Sequence, residues 1–143
     1  MSVKTATSKK TESIIERGSC EIRVRYAECD AMGIAHHGAY PVWFEMGRTE
    51  LYRESGTTYR ELEAQGLHLA VAALEVRYKA PVRYDEVLGL ETTLVERTRF
   101  KLVHRYRLFR NGLMVATGRT VLGCVDGHGK LTPLPEDDFG PGR

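Results

Sequence analysis

The order of the predicted elements constrains this chain more than any other feature: a strand, a long helix, a short helix, then four strands in succession. Glu21 to Tyr26 alternates, with Ile22, Val24 and Tyr26 on one face and Glu21, Arg23 and Arg25 on the other, as in a half-buried strand. A loop spans 28–38. Tyr40, Trp43 or Phe44, Gly47 and Leu51 recur at helical spacing, which predicts a helix over 39–55 with an apolar face widened by Val42 and Met46. Pro41 suits the first turn, where its missing N–H costs nothing, and Gly56 is a natural stop. Glu45 with Arg48, and Glu50 with Arg53, are spaced to pair on the helix surface. A short helix is expected over 58–65, capped by Thr57 and stopped by Gly66.

Strand patterns fill the rest. Leu69 to Tyr78 starts as an apolar run, then alternates until Pro81 breaks it. In 87–96, Leu88, Leu90, Thr92 and Leu94 share a side. Phe100, Leu102, His104, Tyr106 and Leu108 share a face of the next strand, and Lys101, Arg105 and Arg107 share the other. Asn111-Gly112 predicts a tight hairpin, because both residue types tolerate positive φ. Leu113 to Val125 is the last strand, with Gly118 and Gly123 as bulges or points of close approach. Strands joined by short connections pair antiparallel. One long helix must then cover one face of the sheet, an α+β layer fold.

At 143 residues the chain has room for one domain with a core of its own. We expect an N-terminal arm over 1–18, polar and basic without an apolar signal core, and a single domain over 19–143. The three cysteines, Cys20, Cys29 and Cys124, are odd in number and widely spaced, which argues against a disulfide framework and for a reducing, cytoplasmic setting. A formal charge of +2 makes no case for nucleic acid. No apolar run approaches the roughly 18 residues of a membrane span.

The densest chemistry lies in RYAECDAMGIAHHGAYPVWFEMGRTE, Arg25 to Glu50. Tyr26, Asp30 four residues on, Gly33-Ile34, His37, Tyr40, Trp43-Phe44-Glu45 and Arg48-Thr49-Glu50 stand there in that order, with Tyr78, Pro81 and Tyr84-Asp85 later. This string and the element order resemble the hotdog-fold acyl-CoA thioesterases of the 4-hydroxybenzoyl-CoA thioesterase-like family, over about Cys20 to Pro135. The resemblance implies an antiparallel sheet wrapped around one long central helix. It implies hydrolysis of a CoA thioester, with Asp30 as nucleophile or general base and the backbone N–H of His37, at the helix N-terminus, as oxyanion donor. It implies substrate contacts at Tyr26, Gly33, Ile34, Tyr40, Trp43, Phe44 and Gly47. It also implies a homodimer or homotetramer with the site at the subunit interface. No cofactor is implied, coenzyme A being part of the substrate. Arg97 and Arg99 are the candidates for its phosphates, near the turn where the family carries the nucleotide.

Each residue also has a plainer reading. Asp30 can cap the turn at Gly33. The helix aromatics are first of all core, and Glu45 with Arg48 reads as a structural ion pair. Cys29, Asp30, His36 and His37 lack a second pair at zinc-ligand spacing, so no metal is expected. Cys29 should face away from Asp30. The alternative functions are a non-catalytic acyl-CoA-binding or regulatory protein, an acyl-carrier-protein thioesterase, and a related dehydratase, whose chemistry calls for a different loop pattern.

Overall fold

The computed structural model describes residues 13–56 and 58–135. Strand β1 (Glu16–Arg23) is followed by a 3-10 turn (Tyr26–Glu28), helix α1 (Ala39–Glu54) and helix α2 (Tyr59–Ala64). Strands β2 (His68–Tyr78), β3 (Val87–Arg97), β4 (Lys101–Arg110) and β5 (Leu113–Val125) complete the chain. They form one five-stranded antiparallel sheet in the order β1-β3-β4-β5-β2. The sheet wraps α1, which is the hotdog arrangement.

Period-2 patterning sets which face meets the helix. Leu88, Leu90, Thr92 and Leu94 of β3, and Leu102, His104, Tyr106 and Leu108 of β4, all point inward and are buried. Tyr40, Trp43, Phe44, Leu51 and Tyr52 of α1 pack on them. Gly47 marks the closest approach of helix to sheet. A Cβ there would stand 2.7 Å from Leu90 Cδ2 and closer still to Thr92 Oγ1. Gly118 has the same explanation on the sheet side, since a Cβ would overlap the Phe44 ring. Gly118 therefore admits the ring that stacks on Tyr106 with centroids 4.2 Å apart. The ladder shifts register elsewhere, at Val71/Ala73, Leu94/Glu96 and Leu108/Phe109.

Ends form where their chemistry permits. Thr58 and Glu61 make a reciprocal capping box at α2. Thr57, the expected cap, lies outside the described residues, as do 1–12 of the expected arm. Asn111 and Gly112 both take positive φ, 48° and 82°, at the β4–β5 hairpin.

Three expectations need correction. The first strand begins at Glu16, inside the expected arm, and ends at Arg23. The chain then leaves the sheet, so Tyr26 sits on the 3-10 turn and is 80% exposed rather than sharing the buried face of Ile22 and Val24. Glu45 and Arg48 do not pair. Arg48 points inward and is buried, donating from Nε to Tyr59 Oη (3.1 Å) and from Nη1 to Tyr106 Oη (3.0 Å). Glu50 and Arg53 do pair, at 3.4 Å.

Candidate active site

The segment between the 3-10 turn and α1 is a small hairpin stapled to the chain before β3. Cys29 bridges Ala35, and Ile34 bridges Arg83. The Ala35 amide donates to Val82 O at 2.8 Å. Gly33 makes the reversal possible with φ 82°. Asp30 shapes the same turn, because its Oδ1 accepts from the Met32 amide (2.8 Å) and the Ile34 amide (3.4 Å). The turn-capping reading of Asp30 is thus correct in geometry. It occupies only one carboxylate oxygen. Oδ2 accepts no hydrogen bond among the described residues, and the side chain is exposed.

The start of α1 is held by His36, the histidine to which the sequence assigned no role. Its amide donates to Glu28 O (2.7 Å), its Nδ1 accepts from the Gly38 amide (2.9 Å), and its carbonyl accepts from the Ala39 amide (3.0 Å). Those bonds use the amides on either side of His37. The His37 N–H itself has no partner among the described residues, and His37 is an exposed residue. Unpaired N–H groups at a helix start are donors for an anion. The His36 and His37 rings stack with centroids 4.0 Å apart.

Asp30, Ile34, His37 and Tyr40 line one groove of about 410 Å³, closed on its far wall by Tyr78 and 79–81. Tyr78 Oη donates to His37 O at 2.8 Å, and the Tyr40 and Tyr78 rings meet edge to face at 4.9 Å. Burial pushes the Tyr40 phenol up to about 12, with Tyr78 adding to the rise and Arg110 opposing it. Burial likewise raises Tyr78. Both phenols are neutral donors at pH 7.

The remaining candidates lie elsewhere. Gly33 is in the turn behind the groove, and Tyr26 meets Tyr84 edge to face on the surface beside it. Trp43, Phe44 and Gly47 sit deeper, in the packing of α1 on the sheet. Trp43 also braces the loop, because its Nε1 donates to Glu28 Oε2 at 2.9 Å. Burial works to raise the Glu28 carboxyl. Hydrogen bonds from the Arg25 amide and guanidinium and from Trp43 outweigh it and hold the group below its usual range. Glu28 is a positioning residue the sequence reading missed; its spacing of three from Arg25 was the available signal.

Arg97 and Arg99 flank the β3–β4 turn at the opposite end of β3, roughly 33 Å along the strand from Val87. Arg97 Nη2 donates to Pro135 O at 2.5 Å, and Arg99 lies over the Phe100 ring. Within one chain these arginines are not brought to the groove. Among the described residues no group of three or more His, Cys, Asp or Glu side chains is placed to hold a metal ion, and no helix is long and apolar enough to cross a membrane.

Comparison with known proteins bears on this site. Residues 24–139 match the profile of the thioesterase-like superfamily. The acyl-CoA thioesterase YbgC of Haemophilus influenzae is 34% identical over 117 residues, 81% of this chain and 85% of that protein. The YneP protein of Bacillus subtilis is 39% identical over 89 residues, and the match spans 62% of this chain and 64% of YneP. Among solved structures, a DHNA-CoA thioesterase from Staphylococcus aureus superposes with a TM-score of 0.80 at 34% identity, covering 82% of this chain and 80% of that one.

Proposed function

We propose, from the premise that this chain belongs to the thioesterase-like superfamily, that it is a thioester hydrolase acting on acyl-CoA. The observation that carries the reading is one groove holding both a carboxylate with an uncommitted oxygen, Asp30, and an uncommitted helix-start amide, His37. Acyl transfer from a thioester needs those two things. A carboxylate is ionised at neutral pH. An oxyanion donor stabilises the tetrahedral intermediate, and removing one costs about 10²–10³ in rate.

In this mechanism the thioester carbonyl lies with its oxygen toward the His37 N–H. Asp30 either takes a proton from water as that water's oxygen bonds to the carbonyl carbon, or attacks the carbon itself to give an anhydride that water then opens. In both routes the C–S bond breaks and the thiolate of coenzyme A leaves, later protonated by solvent. Asp30 Oδ1 stays with the Met32 and Ile34 amides, which leaves Oδ2 to act. Ile34, Tyr40 and Tyr78 wall the acyl end, and the buried Trp43, Phe44 and Gly47 support that wall from behind. No resident cofactor enters any step.

The proposal includes a homodimer. Strand β2 is a sheet edge with Val71, Leu74 and Tyr78 all about half exposed on its helix-side face, an arrangement that favours pairing with a second copy. Arg97 and Arg99, remote from the groove of their own chain, would reach coenzyme A phosphates only from a neighbouring protomer. Three cysteines without disulfides fit a cytoplasmic setting.

The test is thiol release from acyl-CoAs with short, long and aromatic acyl groups. Turnover of some members supports the reading. Binding of coenzyme A without turnover of any member moves the chain to the acyl-carrier-protein or non-catalytic alternatives.

A further inference from the structure

Of the polar side chains that line the Asp30 groove, four stand at its mouth. Asp30, His37, Tyr78 and Lys79 are all exposed residues. The inner end is formed by Ala35 and Tyr40, which are 8% and 3% exposed. Tyr40 packs on Trp43 with ring centroids 4.7 Å apart and meets Tyr78 edge to face, so little of it is left open, and the groove is where it opens.

The hydroxyl of this buried ring is uncommitted. Tyr78 spends its own hydroxyl proton on His37 O. Tyr40 Oη makes no hydrogen bond among the described residues, and it is not sealed off as Thr92 Oγ1 and His104 Nδ1 are. The phenol keeps its proton at pH 7 and is a donor there. Solvent can satisfy that donor in the free protein. A substrate that fills the groove displaces the solvent, and must then offer an oxygen acceptor or leave a donor unpaired in a dry site. Size decides which part of the substrate comes to Tyr40. A groove of about 410 Å³ takes a short acyl group and its thioester, while the nucleotide of coenzyme A stays outside. The part that enters furthest is the acyl group.

We propose that the Tyr40 hydroxyl determines acyl specificity: it selects acyl groups that carry an oxygen acceptor (a hydroxyl, oxo or carboxylate group) over plain alkyl chains of the same length. The inference rests on the acyl-CoA reading of the groove and deepens it by naming the acyl class. An apolar inner end would discriminate weakly, by length alone. A placed donor rejects the analogue that lacks its partner, because the donor is then left unpaired.

Matched esters test it: butyryl-CoA against 3-hydroxybutyryl-, acetoacetyl- and succinyl-CoA, and hexanoyl-CoA against adipyl-CoA. In wild type, kcat/KM should be at least about tenfold higher for an oxygenated ester than for its alkyl twin, and Tyr40→Phe should erase that ratio. The ratio within each enzyme is the readout, since the inherent reactivity of an ester is common to wild type and variant. If Tyr40→Phe lowers every ester by the same factor, the proposal is overturned, because the hydroxyl then serves a group all the esters share, such as the thioester carbonyl. Equal treatment of the twins by wild type overturns it as well, whether or not the variant folds. Hydrolysis of no ester by wild type is a failure of the hydrolase reading and not of this one. The same esters then serve as ligands in titration calorimetry, where an oxygenated member should bind at least about tenfold more tightly than its twin and lose that advantage in Tyr40→Phe. Equal dissociation constants within the pairs, or no binding by any member, overturns the proposal in that case.

Discussion

The hydroxyl of Tyr78, at the end of β2, donates a 2.8 Å hydrogen bond to the carbonyl of His37, immediately before α1. It ties a sheet edge to the peptide that precedes the helix. The same ring packs on Tyr40, inside the first turn. Tyr78→Phe keeps the ring and deletes the bond. Tyr78 is half exposed, so the stability cost should be about 1 kcal/mol or less. The groove should respond more: acyl-CoA turnover is expected to fall several-fold in kcat with little change in KM, because the His37 peptide loses its anchor. Steady-state kinetics beside a thermal melt check this.

Gly47 stands where α1 comes nearest to β3. Gly47→Ala would ordinarily stabilise a helix by about 1 kcal/mol. Here the added methyl meets Leu90 and Thr92, so the net effect should be a loss of about 1–3 kcal/mol. Urea unfolding should show a lower midpoint with an unchanged slope.

Arg48 and Glu45 offer a paired test. An ion pair would make the two equally sensitive. The guanidinium instead serves Tyr59 and Tyr106 inside the core, and the same Tyr106 hydroxyl meets Thr120. Arg48→Met should cost about 1–3 kcal/mol through stranded hydroxyl groups. Glu45→Gln should stay within about 0.5 kcal/mol. Chemical denaturation of the two variants distinguishes the accounts.

His104 is buried against Tyr52, whose hydroxyl lies 3.1 Å from Nε2. Burial, with the Arg48 charge, pushes its pKa down to about 3. In the unfolded chain a histidine titrates near ~6.5. Between those values the unfolded state binds the proton and the folded state does not. Stability should therefore be flat above pH 6.5 as far as His104 is concerned, and fall at up to about 1.4 kcal/mol per unit as pH drops below it. His104→Gln should flatten the slope between pH 6.5 and 4.5, where few carboxylates titrate. An unchanged slope in that variant would assign the pH dependence to other groups.

Much of this fold was legible because its patterns are strong and local. The alternation of Leu88, Leu90, Thr92 and Leu94 fixed a buried face without reference to any partner. Asn111-Gly112 specified its turn by backbone preference alone. Errors arose where a distant partner decides. Nothing near Arg48 announces that Tyr59 and Tyr106 will take it into the core. Tyr26 continues the alternation of Ile22 and Val24, but Glu28 closes a 3-10 turn with Arg25 and turns the ring outward. Polar Glu16 to Cys20 hides a strand because its pairing with β3 supplies the order that its own composition does not. At the site, Asp30 and His37 were named from the string of residues around them. The use of His36 as the brace of the helix start, and of Glu28 as a support under Trp43, needed coordinates.

The central claim is that Asp30 performs the chemistry in a groove whose oxyanion donor is already in place. Its most direct measurement is thiol release by Asp30→Asn beside wild type, on whichever acyl-CoA the wild type turns over fastest. The substitution keeps an oxygen able to accept the Met32 and Ile34 amides, so the loop and the melting temperature should be preserved. The account predicts a loss in kcat of at least about 10²-fold, the range seen when an essential acid–base group is removed, with substrate binding retained. Turnover within a few-fold of wild type by a folded Asp30→Asn would contradict it.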